Sequence, residues 1–251
     1  MKNIFFLIGL SLILFTSCKS NNLYKIEGRQ IAITDSLKTN QSIEDYIKPY
    51  RIQINKSLDS VISYAKDTYS KKDGFLNTAI GNMMADAVYE QSNPIFKART
   101  GHTIDLVLLN HGGIRSIISK GNITTRTAYN VMPFENSVVV VTMKGNKVKE
   151  LVDYLVRDQR PHPIYGLQIV LNEDLQLKSA TINGKNIEDN KSYYVATNDY
   201  LYSGGDKMIF FKPNEHLDDL NYKIRNVLID YFTKKDTIAP VIDDRFIQIK
   251  H

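Results

Sequence analysis

The 251-residue sequence predicts an α+β fold with α/β-like character, a single domain in which a mixed sheet is flanked by helices. Three observations predict it. Two largely apolar runs of strand length, 104–109 (IDLVLL) and 137–143 (SVVVVTM), read as buried strands. Several other segments space their apolar residues at helical intervals. Between them lies a hairpin signal, Asn183-Gly184, so strands and helices alternate irregularly.

The elements follow in chain order. Tyr46, Ile47, Tyr50 and Ile54 have helical spacing, and Pro49 predicts a break or kink among them. Leu58, Val61, Ile62 and Ala65 recur at i, i+3, i+4 and i+7, which predicts a helix over about 55–66. Residues 70–74 form a charged turn. A helix begins near Asn77, with Ile80, Met83, Met84, Ala87 and Val88 on one stripe, and ends before Pro94. The strand 104–109 breaks at Asn110 into His111-Gly112-Gly113. Residues 123–130 predict a short helix capped by Thr124 or Thr125. After the strand 137–143, Lys144-Gly145-Asn146 turns into a helix over 147–157, with Val148, Leu151, Val152 and Leu155 on one face. Two strands, 167–171 and 175–182, flank the turn Asn172-Glu173-Asp174. A strand over 193–197, a helix over 221–232 and a closing strand over 246–249 complete the chain.

The first residues read as a targeting segment. Lys2 precedes an apolar run, 4–15, that is too short for a good transmembrane helix. The run ends in Phe15-Thr16-Ser17-Cys18, small residues followed by the chain's one cysteine. This resembles a bacterial lipoprotein signal over 1–17, with Cys18 as the lipidated residue; the alternative is an ordinary secretory signal with an incidental cysteine. Residues 18–40 read as a tether and 41–251 as the folded domain. The expected location is the bacterial envelope, lipid-anchored, facing the periplasm or on the cell surface. The formal net charge is +5, but the lysines are scattered among acids rather than striped, so nucleic acid is not an expected partner. A mildly basic surface favours anionic ligands.

No catalytic residue or metal ligand is assigned. The five histidines, His102, His111, His162, His216 and His251, do not pair at i, i+2 or i+4. There is no Gly-x-Ser-x-Gly elbow, P-loop or dinucleotide fingerprint. Binding signals are stronger. Residues 193–206 (YYVATNDYLYSGGD) read as a buried strand running into a Gly-Gly turn that ends on Asp206, with Tyr200 six residues earlier. An aromatic face, a pliant backbone and one acid suit a flat polar ligand such as a nucleoside. In 110–115 (NHGGIR), the glycines let the backbone approach a ligand, and Arg115 offers a planar fork for a carboxylate or phosphate. In 131–136 (VMPFEN), Phe134 stands at the mouth of a strand. The plainer readings are a tight turn with an exposed Asp206, a solvated Arg115 and a core ring for Phe134.

Four blocks in order, 80–87 (IGNMMADA), 105–115 (DLVLLNHGGIR), 129–140 (YNVMPFENSVVV) and 193–206, together resemble the C-terminal domain of bacterial and animal 5'-nucleotidases, a group that includes the UDP-sugar hydrolases. The resemblance covers about 57–211. It implies a domain that binds the nucleoside rather than hydrolysing it. By motif, Phe134 and Tyr200 would sandwich the base, and Asp206 would hold the ribose hydroxyls. Arg115 would lie near the ribose and phosphates, Asn110 and Asn136 near the base, and Gly166 beside the base. Asn82 and Asp86 read as structural or interdomain. Two features depart from the family. Its metallophosphoesterase domain, with the metal ligands and catalytic histidine, has no match here. Its Arg and Glu ahead of the first block are also missing from 72–77 (KDGFLN), so one phosphate-side contact of the family is lost unless Lys71 or Lys72 substitutes. The expected function is the nucleotide-binding half of a split 5'-nucleotidase, not catalytic alone, whose partner is a separate metallophosphoesterase chain holding the divalent metal. The alternatives are a nucleoside-binding lipoprotein with no hydrolase role and a decayed structural domain.

Overall fold

The computed structural model describes residues 25–249. The targeting segment, Cys18 and His251 lie outside the described residues. The chain divides into two compact units, Met1–Ile47 and Lys48–His251. In the first, 25–40 carry no helix or strand and are exposed. Helix α1, Gln41–Leu58, begins where the Asn40 side chain accepts from Ser42 N–H at 3.2 Å, and it runs through Pro49 without a break.

The second unit is built on three sheets. A five-stranded sheet contains β2 (Leu106–Leu108), β4 (Ser137–Lys144), β5 (Ile164–Tyr165), β9 (Ser192–Asn198) and β10 (His216–Lys223), in the order β10-β4-β9-β2-β5. β2 and β9 are parallel, and the other pairs antiparallel. A four-stranded sheet, β12-β6-β7-β8, uses Phe246–Gln248, Leu167–Leu171, Leu177–Ile182 and Lys185–Asn186. A three-stranded sheet, β11-β1-β3, uses Thr237–Ile238, Val61–Ala65 and Gly121–Thr124.

Strand alternation divides the core in two. Val138 and Val140 of β4 point to one side with Val107 and Ala196. There they meet α2 (Ala79–Thr100) and α6 (Ile224–Thr233). Val139 and Val141 point to the other side with Leu106, Leu108 and Val195. There they meet Val148, Leu151, Val152 and Leu155 of α4 (Gly145–Asp158), the stripe expected from its spacing. Mixed sheets with helices packed on them match the expected fold class.

The polar residues of α2 fasten the end of the chain. Asn77, just ahead of the helix, donates to Asp243 O and Phe246 O at 3.1 and 2.9 Å, and Asn82 donates to Val241 O at 3.0 Å. Asp86 accepts from Arg245 Nη1 at 2.8 Å. Arg245 also reaches Asp243 and Ile164 O, at 2.6 and 2.7 Å. Asn82 and Asp86 therefore have structural partners within this chain.

Four expectations are corrected. Residues 61–65 are strand β1, not the end of a helix. Val61 and Ile62 are β-branched, and β11 and β3 pair with this segment on either side, so sheet pairing overrides a short helical spacing. α2 does not stop before Pro94 but continues to Thr100 and closes on Gly101, at φ 77°. A helical proline costs about 3 kcal/mol; burial of Phe96, 1% exposed, offsets much of that. Ile123 belongs to β3 and not to the short helix α3, Thr125–Val131, which Thr124 caps. Residues 216–223 form β10, so the last helix starts only at Ile224. The alternation there is obscured by exposed polar residues on an edge strand.

Candidate functional site

The registers of the five-stranded sheet gather three distant segments at one end. Leu106 pairs with Val195 and Val107 with Ala196 in the parallel pair, so β2 and β9 both finish at that end. β4 runs the opposite way and pairs Val138 with Asn198, so its entry loop arrives there too. β2 leads into Asn110 and the 3₁₀ turn His111–Gly113. β9 leads through the short α5, Asp199–Tyr202, to Asp206. The loop before β4 carries Phe134 and Asn136. Ligand crevices commonly form at the carboxyl ends of parallel strands.

The result is a cleft of about 310 Å³ whose lining includes Asn110, Arg115, Phe134, Asn136, Tyr200 and Asp206. At its centre the Asp206 carboxylate accepts from Asn110 Nδ2 at 2.8 Å on one oxygen and from Tyr200 OH at 3.0 Å on the other. The Asp206 carbonyl accepts from Tyr154 OH at 2.9 Å. These bonds hold Asp206 at φ 50°, a left-handed conformation that costs about 1 kcal/mol or more for a non-glycine residue. Each carboxylate oxygen keeps a further lone pair for a hydroxyl donor. Asn110 is nearly buried, which suits an aiming group rather than a solvated one.

The two rings are exposed enough to meet a ligand. Phe134 is 41% and Tyr200 46% exposed, so neither is a core ring. Gly205 lies against Tyr200: a Cβ there would come within 2.5 Å of the ring carbons. Only glycine lets the turn pass that close, and the turn in effect backs the ring. The Phe134 loop is fixed through its neighbour Glu135. Lys223 Nζ donates to Glu135 O at 2.6 Å, and Arg225, itself stacked 4.2 Å from the Tyr129 centroid, pairs with the Glu135 carboxylate. That pairing holds the Glu135 carboxyl below its usual range.

Arg115 lies 5.8 Å from the Phe134 centroid, near the outer limit of a cation–π contact, and 3.4 Å from Gly112 O. It also lines an adjoining hollow of about 190 Å³ with Ser70, Lys71, Lys72, Ile114, Ser116 and Ile117. Burial, followed by repulsion from Arg115 and Lys72, pulls the Lys71 ammonium below its usual range. A set of like charges at the edge of a cleft favours an anionic ligand group.

Six of the seven residues expected at the site are therefore together. Gly166 is not among them. It borders a separate hollow with Tyr165, Gln168, Asn183 and Arg245. Its φ is 71°, and a Cβ would meet Asp105 O at 2.2 Å, so its geometry gives it a backbone role. Sequence reasoning missed Met132, which lines the cleft, and Tyr154, Glu135, Lys223 and Arg225, which support it. Met132 sits inside a recognised block, but as an apolar residue it gives no signal distinct from core packing. Among the described residues, no group of three or more His, Cys, Asp or Glu is placed to hold a metal ion.

Residues 56–213 match the family model of the 5'-nucleotidase C-terminal domain. The chain belongs to that family. The trifunctional nucleotide phosphoesterase protein YfkN of Bacillus subtilis is 25% identical over 226 residues, spanning 78% of this chain and 15% of that protein. Protein UshA of Escherichia coli is 26% identical over 192 residues, spanning 72% and 32%. The crystal structure of a 5'-nucleotidase precursor from Thermus thermophilus superposes with a TM-score of 0.69 at 19% identity, covering 84% of this chain and 44% of that one. This 5'-nucleotidase C-terminal domain thus spans less than half the length of these relatives. The matched family segment includes the sheet ends that build the cleft.

Proposed function

We propose that this chain is the nucleotide-binding half of a split 5'-nucleotidase. The carboxylate of Asp206, held by Asn110 and Tyr200 in a cleft that two half-exposed rings also line, carries this reading. A base stacks on Tyr200 and Phe134, and the ribose hydroxyls donate to Asp206. The phosphate end extends towards Arg115, Lys71 and Lys72. Hydrolysis belongs to a separate metallophosphoesterase chain, which supplies the divalent metal. Cys18 carries the lipid that keeps this chain in the bacterial envelope, beside that partner. The names of the relatives, a nucleotide phosphoesterase and 5'-nucleotidases, support the substrate class.

Titration calorimetry with adenosine, uridine, their 2',3'-dideoxy forms and the free bases tests the cleft. The expected order is ribonucleoside above dideoxynucleoside, and Asp206→Asn abolishes that difference. Equal affinity for all three classes in the native protein removes Asp206 as the ribose anchor. No binding by the native protein, alone or with a partner phosphoesterase, removes the nucleotide reading.

A further inference from the structure

Beside the cleft, a buried imidazole extends a β ladder by one rung. β2 and β5 pair Leu108 with Ile164, and the next rung is Leu109 N–H donating to Pro163 O at 2.9 Å. His111 N–H then meets a side chain: it donates to His162 Nδ1 at 3.2 Å. The other ring nitrogen, Nε2, lies 2.7 Å from Asp158 Oδ2. Arg160 in turn grips both Asp158 oxygens, at 2.7 and 3.1 Å. The His162 side chain is 0% exposed. An imidazole nitrogen that accepts a hydrogen bond carries no proton, so the bond from the His111 amide requires the ring proton on Nε2, where it is donated to Asp158.

We propose that His162 is a positioning residue for the cleft: as a neutral ring fixed by Asp158, it holds the His111 amide and so sets the turn that aims Asn110 at Asp206. Asn110 immediately precedes that amide, and Gly113 N–H closes the turn on Asn110 O at 3.0 Å. A protonated His162 would set N–H against N–H at Nδ1 and release the amide. The charged and titratable groups facing the ring are Asp158 and Arg160 at the end of α4, the Tyr154 ring at 5.9 Å, and His111; Lys71 acts on His111 from the loop after β1. Burial outweighs the pull of Asp158 and holds the His162 ring below its usual pKa, so it is neutral at neutral pH.

The affinity part of the test rests on the proposed nucleoside site; the spectroscopic part does not. In nitrogen-15 NMR of the full chain at pH 7.5, His162 is expected as the Nε2-protonated tautomer. On acidification the His111 amide shift follows the His162 ring, with one midpoint below 6.5. A ring protonated on Nδ1 or cationic at pH 7.5, or an amide indifferent to the ring's titration, overturns the proposal. His162→Leu is expected to speed exchange of the His111 amide and to weaken adenosine and uridine binding, each about tenfold. His162→Gln, a neutral acceptor, restores both and reduces the dependence of nucleoside binding on pH between 7.5 and 5.5. Unchanged His111 exchange in a folded His162→Leu protein also overturns it. If that variant does not fold, the native titration decides. If the native protein binds neither nucleoside, alone or with a partner phosphoesterase, the cleft reading fails while the ring and amide measurements still decide this one.

Discussion

Asn110 Nδ2 donates to Asp206 Oδ2 at 2.8 Å, although 96 positions separate the two residues. The parallel pairing of β2 with β9 brings their carboxyl ends together: Asn110 lies two residues past β2, and α5 and the Gly-Gly turn carry the chain from the end of β9 back to Asp206. The acid is thus anchored from one strand end and delivered by the other. A bond of this kind aims a lone pair at a ligand and also stabilises a strained turn.

The rings provide the sharpest division between binding and packing. Because Phe134 and Tyr200 are 41% and 46% exposed, truncation to Ala should leave only a small cavity. Base stacking is worth about 1–3 kcal/mol per ring. Each variant should therefore bind nucleosides about tenfold or more weakly, with a melting temperature within a few degrees of native. Calorimetric titrations and thermal melts check this. A collapsed melting temperature with unchanged affinity would return both rings to the core.

Arg245 predicts a stability effect remote from the cleft. It satisfies Asp86, Asp243 and Ile164 O together, and those bonds hold its guanidinium above its usual range despite burial. Arg245→Ala leaves Asp86 partly buried without its partner. The expected cost is about 2 kcal/mol or more, after allowing for the residual exposure of both carboxylates. Urea unfolding of Arg245→Ala and of the double variant with Asp86→Asn measures it. The double variant should be the more stable, since it leaves one carboxylate, Asp243, without its partner instead of two.

Acid sensitivity follows from His162. Burial lowers its folded pKa below the ordinary 6.5, so above that value both folded and unfolded states are neutral and no stability is lost. As pH falls below about 6.5, the unfolded chain binds the proton first, and stability declines until the folded ring also titrates. His111 is lowered in the same direction, chiefly by burial, and contributes to the same window. Melts from pH 7.5 to 5 should show a fall that His162→Gln reduces and that the further change His111→Gln removes. Identical profiles for native and variant proteins would contradict the burial argument.

Much of the cleft was legible because its parts are local in sequence. Residues 137–143 are apolar on both faces, as a strand between two layers must be, and Gly204-Gly205 announces the turn that Tyr200 and Asp206 require. The hidden parts depend on partners. Val61 and Ile62 fit a helical stripe until β3 and β11 are known to flank them. Pro94 reads as a stop until Phe96 has a core to enter. Gly166 sits in a motif-like segment, yet its close neighbour is Asp105 O, a contact that spacing does not reveal. Asp158 and His162 do stand at an i, i+4 spacing, but one histidine beside one acid gives no signal where histidine pairs are the criterion.

The anchor gives a prediction about location. A lipidated Cys18 should place the protein in the membrane fraction and label it with a fatty-acid probe. Cys18→Ser should release it and abolish the label. Among the described residues no helix is long and apolar enough to cross a membrane. A variant that stays membrane-bound and labelled would disprove the lipoprotein signal.

Activity is the final prediction. The cleft offers a carboxylate, two amides, two rings and basic side chains, a set suited to the proposed nucleotide recognition, and among the described residues no group of three or more His, Cys, Asp or Glu is placed to hold a metal ion. The purified chain should therefore release no phosphate from AMP or UDP-sugars with Mn²⁺, Co²⁺ or Zn²⁺ added. Mixed with a secreted metallophosphoesterase that lacks a nucleotide-binding domain, it should raise nucleotide hydrolysis by at least about tenfold. Asp206→Asn should reduce that gain mainly through KM, because the ribose is held in the ground state as well as the transition state. Phosphate assays on each chain alone and on the mixture separate the outcomes. Metal-dependent turnover by this chain alone, at the rate of the mixture, would sink the split-enzyme reading. Binding without any stimulation across the candidate partners would leave a nucleoside-binding lipoprotein, with Asp206 serving recognition alone.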